Sequence, residues 1–249
     1  MKWFLLIAVV WQAHSADVCD PRKFSGAYGA QLSGDTTISG SPTPVAVIGR
    51  LVFDGTGSVS GYMSVNFTGY LLGNPVTGSY DAHTDCSLNW SLQDTSGAYQ
   101  HFSGTMTSDF LSVQFRQTDK GGARHGTMVR TPKACSTAAL RQRYTFNISG
   151  STTPMLPGET AHAVSSTGAI DVAAGNITLT PDGPHAPTTG TVEVDSDCIA
   201  TMQLDLSVGD SDAKVPMKLR GVLVDDGKQI LSIQTDPGTT VIAKFSAGQ

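Results

Sequence analysis

Apolar and polar residues alternate in short stretches along most of this chain. Met63, Val65 and Phe67 share one parity, as do Leu88, Trp90 and Leu92, and again Leu111, Val113 and Phe115. Side chains two residues apart lie on one face of a strand, so these residues are predicted to line an interior. Turn residues punctuate the stretches: glycines and prolines recur evenly, and Asp225-Asp226-Gly227 marks a tight hairpin. The first half reads as strands over 28–32, 45–53, 58–70, 78–92, 101–106 and 111–118. The second half reads as strands over 144–148, 169–179, 191–206, 215–224, 229–235 and 239–245. One short helical piece is predicted over 136–141. Roughly eight short strands curving around one apolar face suggest a small barrel or a tight sandwich.

The pattern occurs twice. Cys19 and Cys135 lie 116 residues apart, and Cys86 and Cys198 lie 112 apart. Gly78-Ser-Tyr-Asp-Ala-His-Thr-Asp-Cys86 aligns with Gly190-Thr-Val-Glu-Val-Asp-Ser-Asp-Cys198. Tyr28 aligns with Tyr144, Gln117-Thr-Asp119 with Gln234-Thr-Asp236, and Thr56-Gly57 with Thr167-Gly168. The expected fold is all-β: two tandem antiparallel β-barrel or sandwich domains, repeat 1 over 17–131 and repeat 2 over 134–249. They are joined near Thr131-Pro132-Lys133. Residues 1–16 have the layout of a secretory signal peptide: Met1-Lys2, an apolar run from Trp3 to Trp11, and small residues before Ala16. The protein is therefore expected to be secreted and extracellular, or periplasmic in a bacterial host. That run is shorter than the about 20 apolar residues a spanning helix needs, and no later stretch qualifies, so no membrane span is expected.

Four cysteines in an oxidising compartment allow three pairings. The duplication favours Cys19–Cys86 and Cys135–Cys198, because a copied unit keeps its own bridge. A link between repeats, such as Cys19–Cys135, is the rival. Each intra-repeat bridge closes a long loop, worth about 4 kcal/mol in the chain-entropy account. No C-x-x-C occurs and no histidine stands at ligand spacing from a cysteine, so neither a metal nor a cofactor is expected. The formal charge is −5, and loss of Lys2 makes it one unit more negative. A mildly acidic chain without a basic run has no electrostatic reason to bind nucleic acid.

Leu51-Val-Phe53-Asp-Gly-Thr-Gly57, Gly61, Asn66, Gly69, Gly78-x-Tyr80 and Asp85-Cys86 together resemble an uncharacterised family of secreted β-proteins. Its pattern is Phe-Asp-Gly-x-Gly, a Gly-rich strand, Gly-x-Tyr and Asp-Cys, and its architecture is loosely similar to calycin and allene-oxide-cyclase-type barrels. Repeat 2 departs from it: Phe-Asp-Gly is missing and Val192 stands where Tyr80 does. The resemblance implies a barrel and carries no catalytic residue.

Candidate chemistry is sparse. Four sequons, at Asn66, Asn89, Asn147 and Asn176, sit at the parity opposite their apolar neighbours and are expected to point outward as glycan acceptors. Neither a G-x-S-x-G elbow nor H-E-x-x-H occurs, and the five histidines outside residues 1–16 are scattered, so no catalytic residue is proposed. Asp195-Ser-Asp197 and Asp210-Ser-Asp212 lack EF-hand spacing and read as solvated turns. Repeat 1 holds twelve aromatics and repeat 2 three. An aromatic interior suits an apolar ligand, with Phe53, Met63, Phe67, Trp90 and Phe115 facing it. The expected role is a non-enzymatic module binding a small apolar ligand or a surface partner. The alternatives are a barrel-type isomerase or cyclase, and an extracellular structural or adhesive protein.

Overall fold

The structure is a computed structural model, and it describes residues 18–248 apart from 39, 68–69, 185 and 208–213. The signal peptide expected over 1–16 lies outside the described residues. Eight strands build the first sheet: β1 (Gly26–Ile38), β2 (Ser41–Phe53), β3 (Ser58–Phe67), β4 (Tyr70–Ala82), β5 (Ser87–Asp94), β6 (Tyr99–Met106), β7 (Ser112–Gln117) and β8 (Ala123–Arg130). Eight more build the second: β9 (Arg143–Thr152), β10 (Ala163–Ala173), β11 (Asn176–Pro181), β12 (Thr188–Val194), β13 (Ile199–Ser207), β14 (Lys214–Val224), β15 (Gln229–Gln234) and β16 (Thr239–Ser246). Each sheet is an up-and-down antiparallel barrel, closed by β1 on β8 and by β16 on β9. Closure leaves no edge strand to be capped. The all-β reading holds, and of its two forms the barrel is the one adopted.

Each barrel has two unlike ends. The hairpins β1–β2, β3–β4, β5–β6 and β7–β8 turn at one end. The other end receives the incoming chain, and there Cys19 is bonded to Cys86. The second barrel repeats this with Cys135 bonded to Cys198. Cys86 and Cys198 both take the left-handed backbone conformation, each at φ 65°. The duplication extends to single hydrogen bonds. Tyr28 Oη donates to the Phe110 carbonyl and Tyr144 Oη to the Gly227 carbonyl, both at 2.8 Å across the disulfide end. Asp119 Oδ2 accepts from the His101 amide and Gln117 Nε2, as Asp236 Oδ2 accepts from the Lys218 amide and Gln234 Nε2.

One alignment fails. Gly57 lies in the β2–β3 turn, whereas Thr167 and Gly168 lie within β10. The Gly57 carbonyl accepts from the Tyr80 amide and the Gly175 carbonyl from the Val192 amide, so Gly175 is the true counterpart. The cause is the β9–β10 connection, which runs from Thr153 to His162 while β1 and β2 are separated only by residues 39–40. The expected helical piece over 136–141 is a single 3-10 turn at Thr137–Ala139.

The interiors follow the alternation. In barrel one, Phe24, Tyr28, Phe53 and Tyr80 plug the disulfide end with ring centroids 4.8–5.6 Å apart. Trp90 stacks on Phe102 at 5.2 Å and meets Phe115 edge-on at 5.0 Å. Leu111 departs from the expectation: it is exposed because it lies in the turn before β7, not in the strand. Barrel two is filled mainly by aliphatic side chains around Tyr144, Phe146 and Phe245.

The acidic excess is partly structural. Asp54, Asp85, Asp94, Asp109 and Asp195 each accept the backbone amide two residues on, closing their own turns. Asp54 shows the consequence. The Thr56 hydroxyl, then the Thr56 and Ser58 amides, hold its carboxyl down at about 2.

The barrels pack side by side through β1–β3 on one and β14–β16 on the other. Ala46 and Ile48 point out of barrel one and join the apolar cluster of barrel two. Gly29 lets the second barrel come close: a Cβ there would lie 2.6 Å from Val224 Cγ1. Buried Gln31 sends Nε2 across to the Ser232 and Ala243 carbonyls, at 2.7 and 3.0 Å. Arg220 stands over the Tyr62 ring at 5.3 Å. Arg50 approaches Asp197 near the disulfide ends, and Asn66 meets Gln234 near the hairpin ends. Like ends therefore face the same way.

This packing corrects one expected glycan site. Asn66 does point out of its own barrel, but barrel two covers it completely and its Nδ2 donates to the Gln234 carbonyl at 2.8 Å. Two predictions follow from the packing. Trp90 is the only tryptophan beyond residue 16, so its fluorescence reports the core of barrel one directly. Trp90→Ala is expected to cost about 3–5 kcal/mol in denaturant unfolding; native emission at the wavelength of free tryptophan would contradict the assigned burial. Glycopeptide mapping of protein from its own host should find Asn66 bare. A glycan there would mean that the barrels part.

Candidate functional site

The five residues expected to face an apolar ligand do not surround a common chamber. Phe53 belongs to the aromatic plug at the disulfide end, and Trp90 and Phe115 fill the middle with Phe102. Met63 lines a small cavity near the hairpin end, with Val65 and Asn74, and Phe67 is half-buried in the same half of the barrel. That cavity holds about 30 Å³. Small-molecule sites run to several hundred Å³, so this space admits about one water. Trp90 Nε1 is buried without an acceptor.

The hairpin end of barrel one is closed by polar groups. Arg124 is buried, and its Nε donates to Gln117 Oε1. Gln117 Nε2 reaches Asp119, which also holds His101 Nδ1 at 2.7 Å. Burial raises the Asp119 pKa, but the His101 amide and ring and Gln117 outweigh it and hold the carboxyl below the usual range. Burial lowers the Arg124 pKa, while the Asp119 charge opposes the shift. In barrel two, Lys218 replaces His101 in the same latch. This network fastens the β7–β8 turn; its imidazole is exposed and is not joined to a nucleophile.

Asn89, Asn147 and Asn176 lie exposed on outer strand faces. Asp195 caps its own turn, and Asp210–Asp212 falls outside the described residues. Among the described residues no group of three His, Cys, Asp or Glu side chains is placed to hold a metal ion. No helix among them is long and apolar enough to cross a membrane.

Two surface regions stand out instead. At the hairpin end, the β3–β4 tip exposes Tyr70, Leu71 and Leu72, and Tyr99 stands exposed where β6 begins. The long β9–β10 connection exposes Met155 and Leu156 at the corresponding end of barrel two. At the disulfide end, a cleft of about 590 Å³ opens between the barrels. Arg50, Arg130, Lys133 and Lys228 line it, with Asp225 and Asp226. Sequence reasoning missed both regions. The cleft joins residues from β2, β8, the linker and the β14–β15 turn, which no local motif connects. The run Tyr70-Leu-Leu72 was visible, but the strand read over 58–70 took Tyr70 as its last residue, whereas it is the first of β4.

No family model matches this chain, and no curated protein sequence matches it. Among solved structures, it is similar to intact Ap-TbpB with its N and C lobes, at 8% identity and a TM-score of 0.31, over 90% of this chain and 76% of that one. It is also similar to a mutant of the vaccine antigen Transferrin Binding Protein B (TbpB) from Haemophilus parasuis Hp5. That match has 10% identity and a TM-score of 0.31, over 89% of this chain and 75% of that one. Neither match assigns this chain a family or a role.

Proposed function

We propose that this chain is an extracellular, non-enzymatic binding protein whose hairpin-end face receives a protein partner. The exposed tip Tyr70–Leu72 carries the reading. Tyr70, Leu71 and Leu72 are three adjacent large apolar side chains at the end of a hairpin, and 40–60% of each is exposed. Contiguous exposed apolar groups of this kind mark interaction surfaces, and tyrosine is a preferred anchor at such surfaces. The rigid support is consistent with this role, since a closed barrel holds its hairpin tips in fixed positions. Two disulfides fit an oxidising compartment. The small cavity weighs against the apolar-ligand and cyclase readings, which need a chamber of several hundred Å³.

A photo-crosslinking amino acid tests the reading. Placed at Leu71, it should trap one dominant protein species in the protein's own extracellular fluid. Placed at Asp85, on the exposed disulfide end, it should trap none. Replacing Tyr70 and Leu72 together with serine should abolish the Leu71 crosslink with little change in Tm, because exposed substitutions usually shift stability by less than about 0.5 kcal/mol. Equal trapping at both positions, or trapping that survives the serine pair, would overturn the assignment.

A further inference from the structure

We infer that the cleft between the barrels is a binding site for an oxyanion: a sulfate, phosphate or carboxylate group presented by a ligand. The site lies at the opposite end from the hairpin tips and stands independently of the protein-partner reading.

Charge is the first argument. The chain is acidic overall, with 16 Lys and Arg against 21 Asp and Glu. Yet the cleft is lined by four cations and two carboxylates, reversing the sign of the whole molecule. Two of these cations already face a carboxylate: Lys228 Nζ lies 3.7 Å from Asp225 and Arg50 Nη1 lies 3.7 Å from Asp197. Among the described residues, no carboxylate pairs with Arg130 or Lys133.

Unused donors are the second. Arg50 Nη1 lies 3.7 Å from Asp197, and its Nε is buried with no acceptor in the protein. A guanidinium presents its donors as a fixed fork that matches two oxygens of one anion. Arg50 lines the cleft with its side chain 27% exposed, so the guanidinium is reached from the cleft through the part that is not buried.

Arg130 is held in place by neutral groups alone. Its Nη2 donates to Tyr28 Oη at 2.8 Å, its Nε reaches the Phe110 carbonyl at 3.5 Å, and its guanidinium lies over the Tyr28 ring. Burial pushes the Tyr28 phenol up to about 12, so Tyr28 stays a neutral hydroxyl at physiological pH. The Arg130 charge is thus positioned without being cancelled. Gly26, at φ 103°, leaves room beside it: a Cβ there would lie 2.9 Å from Arg130 Nη1. The cleft volume of about 590 Å³ is that of a small-molecule site.

The test is a calorimetric titration of the full mature chain at low ionic strength. Inorganic sulfate is one probe and a heparin-derived sulfated disaccharide the other. The expected result is saturable one-site binding, weakened at least tenfold by Arg50→Gln. Lys133→Gln, at an exposed linker position, should weaken it several-fold with an unchanged circular dichroism spectrum. Lys120→Gln, a cation at the hairpin end, should leave it unchanged. Binding of the disaccharide alone assigns the oxyanion to a glycan; binding of both assigns a free or terminal anion. Failure of both probes to saturate would overturn the site. So would equal weakening by Lys120→Gln and Lys133→Gln, which would reduce the effect to net charge, or binding untouched by Arg50→Gln.

Discussion

Each sheet must close on itself, and the rest of the molecule is arranged around that requirement. β1 pairs with β2 along its full length and with β8 from Tyr28 to Asp35. Opened at that seam, the barrel would present two rows of unpaired amides and carbonyls. The disulfide end guards the seam. The chain enters there, Cys19 is bonded to the β4–β5 turn at Cys86, and the Cys19 amide donates to the Thr84 carbonyl. Tyr28 crosses to the Phe110 carbonyl in front of β7. In barrel two, Tyr144 and Cys135 do the same work. The sequence repeats these residues, as it repeats the Gln117-Thr-Asp119 latch at the opposite end.

That explains how much of the fold could be read. Period-two alternation exposed the interior face wherever inward residues were apolar, as at Leu88, Trp90 and Leu92, all buried. It failed where they were not. β8 has inward Arg124 and Gly126 before Met128, so it shows no alternation, and no strand was read over 123–130. Strand ends failed for a different reason. The stretches 78–92, 169–179 and 191–206 each contain a turn made by very few residues. At 86 and 198 the left-handed residue is a cysteine rather than a glycine, which hides the turn from composition. The cleft could not be read because its cations converge only after both barrels have closed and docked.

The docking face itself left a signal that alternation arguments pass over. Val45 to Ile48 is apolar without a break, and so are Val222 to Val224. In an antiparallel barrel with one solvated wall, such runs are out of place. They make sense when both faces are covered. Val45 and Val47 enter barrel one, while Ala46 and Ile48 face barrel two. Parity correctly put Asn66 outside its barrel, but outside is not the same as solvent when a second barrel lies there. Gln31 makes the face specific. Its buried amide finds the Ser232 and Ala243 carbonyls in one docking register, and a slipped register would strand it.

Docking with like ends together gives the molecule two unlike ends. The disulfide ends share a cationic cleft to which both barrels contribute. The hairpin ends have diverged: a short β1–β2 turn faces a long β9–β10 connection, and His101 in one latch is Lys218 in the other. A hairpin tip can change length and chemistry because the ladders behind it keep their register, whereas a residue such as Tyr28 cannot. Duplication followed by docking thus gives one molecule with two unlike sets of tips. The aromatic excess of repeat 1 belongs largely to its packed interior; of the rest, Tyr62 lies under Arg220 at the docking face, and Tyr70 and Tyr99 stand at the tips.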